Sequence, residues 1–278
     1  MVPTAMDAAL PSLVSSYEIS DAQKEEFRGN GHIYLPGVCS PEEISAYRPE
    51  ILDATAGPRA AATDLEKRDT YGKAFLQMTN LWAGHEGVKQ FVFGKRIAEI
   101  AAELMGVSGT RLYHDQALFK EGRGGYTPWH QDQHYWPLDT VNTITVWMPL
   151  VDLTADMGIM QFASRSHVNG YLSEMGAISD ESETMIDEFV EGKGYEATGQ
   201  PVMKAGDATF HYGWTLHRAP GNQTDTMREV MTTIYFADGT RILKPDNPWR
   251  EDDLKNWLGG GRPGDLAQGE LNPLLYSA

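Results

Sequence analysis

The chain has a single cysteine, Cys39, and so cannot form an internal disulfide. That fits a reducing compartment, and cytoplasm is the expected location. No apolar run reaches the roughly 18 residues needed to cross a bilayer, so no membrane span is expected. The opening "MVPTAMDAALPSLVSS" has no basic segment followed by an apolar core, so it reads as a loosely ordered tail over residues 1–19, not as a secretory signal. Positive charge is also scarce: 23 Lys and Arg stand against 39 Asp and Glu, a formal net charge of −16. Such a balance favours solubility and repels phosphate backbones and anionic lipid, which argues against nucleic acid or membrane as a partner. Neither an internal repeat nor a phosphate-binding glycine fingerprint is found.

What is present suits a globular protein, with 41% hydrophobic and 10% aromatic residues. The 278 residues can bury one sizeable core, so residues 20–278 are expected to form a single domain. "DAQKEEFRG" begins with an acid at a plausible helix start, Asp21, and leads to the strand-like "NGHIYLPGV". "SPEEISAYRPEILDAT" has Ser40 as N-cap, Pro41 at the first helical position and Glu43 completing a capping box. "GKRIAEIAAELMG" repeats apolar residues at helical spacing and closes on Gly106. From Arg111 onward short strands take over: "RLYHDQALFK", "NTITVWMPLVDL", "GIMQFA", "DATFHYGW" and "REVMTTIYFAD". Helices first and strands afterwards predict an α+β chain with a mainly β core, a sandwich or barrel. The acidic residues 179–199 are long for a connection between strands and are expected either to cover a site or to be a solvated excursion.

The chemistry gathers in "TPWHQDQHYWPLDT", residues 127–140. In an extended segment, side chains at i and i+2 share a face, so His130 and Asp132 can bind one metal while Gln131 points elsewhere. An H-x-D triplet alone is common and is more often a hydrogen-bonded strand pair. A metal needs a third ligand, and His217 is the best candidate, because it ends a strand that follows a Gly-Asp turn; His211 competes less well. Two imidazoles and one carboxylate suit non-haem Fe(II) and leave coordination positions open for catalysis. Arg228 follows His217 by 11 residues on an apolar, hydroxyl-bearing strand, where a cation needs a partner. A protein acid would serve, and so would the carboxylate of a co-substrate bound at the metal.

The run H-Q-D-x-H-Y-aromatic-P at His130 to Pro137, the later "GDATFHYGWTLHRAPGN", and the spacing to Arg228 resemble the phytanoyl-CoA dioxygenase family of Fe(II)- and 2-oxoglutarate-dependent oxygenases. "FRGNGHIYLPGVCSPEEI", "GIMQFASRSHVNG" and "NPLLY" agree, so the resemblance covers roughly residues 20 to 275. It implies a double-stranded β-helix (jelly-roll, cupin-like) with N-terminal and flanking helices. His130, Asp132 and His217 would be the iron ligands, and Arg228 the anchor for the distal carboxylate of 2-oxoglutarate. Gln131 and Trp147 would line the cosubstrate pocket. One position departs from the family: a small hydroxyl residue often stands two places after the distal histidine, where this chain has Ala219, leaving Thr209 or Thr233 as possible substitutes.

The reaction implied is hydroxylation of a small molecule using O2, with succinate and CO2 as co-products. Asp132 argues against halogenation, since halogenating relatives have a small residue there. Desaturation, epoxidation or rearrangement by the same oxidant are alternatives, as is a metal-binding barrel that senses without turnover. Candidate substrate contacts are His134, Tyr135, Trp136, Trp214, Gln77 and Asn80. The family name does not imply an acyl-CoA substrate, and the acidic surface argues against a polyanionic one.

Overall fold

The structure is a computed structural model that describes residues 9–172 and 178–278. The N-terminal part runs α1 (Asp21–Asn30), β1 (His32–Leu35), α2 (Pro41–Ala60), α3 (Thr70–Ala74), β2 (Leu76–Thr79), α4 (Glu86–Val92) and α5 (Lys95–Met105). The strand-rich part runs β3 (Gly109–Phe119), β4 (Thr127–His130), β5 (Thr143–Pro149), β6 (Leu153–Thr154), β7 (Gln161–Ala163), α6 (Asp180–Gly192), β8 (Ala197–Gly199), β9 (Val202–Met203), β10 (Ala208–Tyr212), β11 (His217–Ala219), β12 (Val230–Ala237), α7 (Pro248–Trp257) and β13 (Leu274–Ser277).

The larger sheet has the order β1-β10-β5-β12-β3-β13, with β2 on the same edge of β3, and the smaller one β4-β11-β7-β8. Neighbours pair antiparallel in both, as a jelly roll requires. Alternation sorts the larger sheet by face. Val146 and Met148 of β5, Phe210 of β10 and Met231 and Tyr235 of β12 join the core under the helices, together with Phe27, Tyr47, Phe91, Ile100 and Leu104. The intervening Thr145, Trp147, His211 and Thr232 point the other way, into a cavity. The ladder between β12 and β3 slips at Tyr113: Ile234 pairs with His114 and Tyr235 with Leu112. This bulge puts Tyr113 in an inner cluster with Trp136 and Phe236, beside His114 on the cavity wall.

Helix starts follow local chemistry. Ser40, Pro41 and Glu43 form the expected capping box. At α1 the cap is Ser20, whose hydroxyl accepts from the Gln23 N–H, and Asp21 is the first helical residue. The tail expected to be loose over residues 1–19 is packed in part of its described stretch. Residues 1–8 lie outside the described residues, but Leu13 is buried, its carbonyl accepts from the Arg96 N–H, and the Tyr47 hydroxyl donates to the Pro11 carbonyl. The acidic segment 179–199 is anchored on the smaller sheet. Ile186 and Val190 of α6 bury against Trp129, Ala163 and Leu216, because one apolar stripe on an acidic helix is enough to dock it on the smaller sheet.

Candidate metal and substrate site

His130 ends β4 and His217 begins β11, and the two are register partners across the ladder, with ring centroids 4.0 Å apart. Gln131 is extended (φ −118°, ψ 124°), so Asp132 returns to the same side even though it already belongs to the following 3-10 turn. Asp132 Oδ1 lies 3.6 Å from His130 Nε2 and 3.5 Å from His217 Nε2. The three ligand atoms all fall within 4.8 Å of one another, a spacing that a metal ion can bridge. His217 is not at the end of the strand that carries His211. That strand stops at Tyr212, the chain turns through residues 213–216, and His217 enters the other sheet.

Second contacts prepare the ligands. His130 Nδ1 is 2.8 Å from the Pro128 carbonyl and His217 Nδ1 is 2.9 Å from the Thr215 carbonyl. A carbonyl only accepts, so each Nδ1 carries the proton and each Nε2 keeps its lone pair for a metal. Burial, then the neighbouring His217, pushes His130 down to about 3, which keeps its ring neutral. Asp132 Oδ2 accepts from Thr145 Oγ1 at 2.8 Å and from His211 Nε2 at 3.2 Å. Burial alone would raise its pKa, but His217 and His211 outweigh that and hold it well below the usual carboxylate range. His211 thus supports the carboxylate.

Beside the triad the cavity wall holds an anion-seeking group. Arg228 is 2% exposed, its Nη1 donates to the Gly158 carbonyl, and its Nε has no partner. The guanidinium carbon sits 5.3 Å from the Trp147 ring centre, which places Trp147 next to it in the cavity lining. Lys120 is buried close by, donating to the Gly125 carbonyl and lying 3.4 Å from Thr127 Oγ1. Burial, then Arg228, pushes the Lys120 amine down to about 6, and burial lowers Arg228 to about 9. Among the described residues neither cation has a carboxylate partner, and of the two Arg228 lines the cavity. Across the ladder from Ala219, where the hydroxyl is missing, its register partner Thr127 lines the cavity and can offer a hydroxyl there. Thr209 and Thr233 do not take that role: neither lines the cavity, and the Thr209 hydroxyl is buried without a partner.

Gln131 does not face the cosubstrate. Its amide donates to the carbonyls of Gly170 and Trp214 at 2.8 Å each, and its oxygen accepts from the Leu172 N–H at 3.1 Å. The side chain ties down the chain at residues 170–172, on the face opposite the ligands.

Of the candidate substrate contacts, Tyr135, Trp136 and Gln77 line the cavity of about 620 Å³. His134, Trp214 and Asn80 do not. The turn at 132–134 swings His134 among Tyr135, Tyr171 and Trp249, while Trp214 packs on Tyr171. Asn80 adopts a left-handed turn (φ 50°) and accepts from Trp82 Nε1. The remaining wall comes from elements that sequence reasoning passed over: Tyr71 and Phe75 around α3, His114 and Gln116 on β3, and Trp249, Asp252, Asp253 and Trp257 on α7. Only His114 and Gln116 carried a signal, the period-2 spacing within "RLYHDQALFK".

An antiparallel jelly roll with two histidines and an aspartate converging beside an unpaired buried arginine defines a metal-dependent oxygenase of the 2-His-1-carboxylate class. The model of the phytanoyl-CoA dioxygenase (PhyH) family matches residues 27–230, and the chain belongs to that family. It is an Fe(II)- and 2-oxoglutarate-dependent dioxygenase acting on a small molecule. The chain is 27% identical over 229 residues to a methylphosphonate hydroxylase of Gimesia maris, covering 79% of this chain and 81% of that protein. It is 22% identical to a probable alpha-ketoglutarate-dependent hypophosphite dioxygenase of Stutzerimonas stutzeri, covering 77% and 78%. Among solved structures, the alpha-ketoglutarate-dependent carbocyclase SnoK from nogalamycin biosynthesis superposes with a TM-score of 0.73 at 23% identity, covering 92% of this chain and 96% of that one. EctD from S. alaskensis with bound Fe follows at 0.64 and 21%, covering 86% and 87%. Both share the fold. Among the described residues no helix is long and apolar enough to cross a membrane.

Proposed function

We propose that this chain hydroxylates a small molecule at an iron held by His130, Asp132 and His217, with Arg228 and Thr127 holding the distal carboxylate of 2-oxoglutarate. The observation that carries the reading is the juxtaposition of three converging ligand atoms with a buried arginine that has no acid partner among the described residues. When bound, iron and 2-oxoglutarate supply the oxidant, as O2 is consumed and the keto acid becomes succinate and CO2. The residues of the chain do the rest. The Nδ1 bonds of His130 and His217 to carbonyls leave each Nε2 free to face a metal, burial keeps the His130 ring neutral, and His217 and His211 hold Asp132 ionised while its Oδ2 accepts from Thr145. Trp147 shields the Arg228 cation from water, which strengthens its hold on a carboxylate. Tyr135, Trp136 and Gln77 border the space left for substrate. Because Asp132 occupies a ligand position, hydroxylation is favoured over halide transfer. Residues 20–278 are read as one catalytic unit, and a chain of this acidity with a single buried cysteine suits the cytoplasm.

Anaerobic titration with Fe(II) and 2-oxoglutarate tests this. A weak visible charge-transfer band is expected, followed by slow substrate-free succinate formation once O2 is admitted. Absence of both would sink the enzymatic reading and leave a metal-binding barrel.

A further inference from the structure

The substrate end of the cavity is acidic and aromatic. Asp253 projects from α7 into the lining, where its Oδ2 accepts from the Tyr113 hydroxyl at 2.7 Å. Asp252 lies beside it in the same wall, and among the described residues neither aspartate has a basic partner within ion-pair distance. Arg250, on the same helix, is already spent on Asp246 and on the carbonyls of Gln133 and His134. Trp249 and Trp257 flank the acids. The imidazole of His114, 5.4 Å from the Trp257 ring, is 5% exposed, lines the cavity, and has an Nδ1 with no partner. A buried nitrogen left unsatisfied in a cavity wall awaits a polar ligand.

Cations in the lining are otherwise engaged. Arg218 pairs with Asp187 at 3.2 Å and Glu183 at 3.6 Å and lies over Trp129, and Arg228 belongs to the cosubstrate carboxylate. An anionic substrate would therefore meet two carboxylates and no free counter-charge. An ammonium group would meet those carboxylates together with indole faces, the arrangement that recognises organic cations. Burial leaves the Asp253 carboxyl pushed up to about 7, as expected of an acid still lacking its cation. Resting on the oxygenase reading above, we infer that the substrate carries an ammonium group, recognised by Asp253 and the Trp249–Trp257 walls. This separates the chain from its curated relatives, whose names point to the anions methylphosphonate and hypophosphite.

Three probes sharing one ring distinguish the charges: benzylamine, benzyl alcohol and benzylphosphonate. Their affinities are measured by quenching of tryptophan fluorescence in the full chain, loaded anaerobically with Fe(II) and 2-oxoglutarate. Benzylamine should bind at least about ten-fold more tightly than either of the others, and Asp253→Asn should erase that preference. Trp249, 42% exposed, tolerates replacement, so Trp249→Leu serves if the first variant fails to fold; it should weaken benzylamine several-fold and leave benzylphosphonate unchanged. Equal or tighter binding of the phosphonate, no binding of benzylamine, or a preference that survives both substitutions overturns the inference. The charge-transfer band, read in the same samples, reports the iron and 2-oxoglutarate separately, so a lost amine preference with an intact band strikes the substrate class alone.

Discussion

Replacing Arg228 by methionine should do two things of opposite sign. The guanidinium is 2% exposed, its Nε is unpartnered among the described residues, and burial lowers its pKa to about 9, while its charge in turn pushes the buried Lys120 amine down. Taking an unpaired charge out of water costs several kcal/mol, and exchanging buried ionic groups for apolar ones of similar size commonly returns about 1–4 kcal/mol. For a chain of this size each kcal/mol moves Tm by roughly 2–4 °C, so the ligand-free Arg228→Met protein should melt about 2–16 °C higher. The same change removes a charge-assisted clamp on a buried carboxylate, a loss of about 3–5 kcal/mol. The 2-oxoglutarate requirement should therefore rise about 100- to 4,000-fold. Thermal melts with and without 2-oxoglutarate, together with succinate formation against its concentration, read both effects. A lower Tm combined with an unchanged KM for 2-oxoglutarate would refute the reasoning, because it would make Arg228 a structural cation.

Four further outcomes follow from the same geometry. Lys120 is pushed to about 6 by burial, so at pH 7.5 it is neutral until a carboxylate arrives; that neighbour raises its pKa, and binding of 2-oxoglutarate should take up close to one proton. Calorimetry in buffers of different ionisation enthalpy checks this, and Lys120→Met should abolish the uptake. In the ligand-free state the depressed amine binds fewer protons than the unfolded chain between about pH 6 and 10, so stability should climb with pH across that window and Lys120→Met should flatten it. Thr145→Val removes the hydroxyl that orients Asp132 Oδ2, and iron affinity measured by competition with a chelator should fall about 10- to 100-fold. Gln131→Leu leaves three backbone groups without their partner and should destabilise the fold by about 2–4 kcal/mol in urea, while the KM for 2-oxoglutarate stays within about two-fold. A rise in that KM as large as the one expected for Arg228→Met would restore Gln131 to the cosubstrate pocket.

The strands and the first two ligands were legible because they depend on local geometry. Alternation in "NTITVWMPLVDL" and "REVMTTIYFAD" marks β5 and β12, and one extended residue, Gln131, suffices to bring His130 and Asp132 to one side. Direction along a strand says where a side chain leaves, not what it meets. Gln131 leaves the ligand face as expected, but its partners at 170–172 and 214 are some 40 to 80 residues away, and no local pattern announces them. His134 and Trp214 fail for the complementary reason. Each is close to a ligand in sequence, yet a 3-10 turn in one case and the crossing between sheets in the other carries it out of the cavity.

Charge marks the boundary of what could be read. Arg228 stood out because a cation beside an apolar, hydroxyl-bearing strand demands a partner wherever that strand is placed. Lys120 closes "RLYHDQALFK" and looks like an ordinary solvated strand end; only the approach of Gly125, Thr127 and Arg228 shows it to be buried. Asp253 is harder still, since it lies on a charged helix, "PWREDDLKNW", in which any acid could face water. What distinguishes it is the Tyr113 hydroxyl, which reaches it because of the bulge in β3. The metal site is thus encoded along one strand and its ladder partner, whereas substrate recognition depends on where a distant helix meets a slipped register.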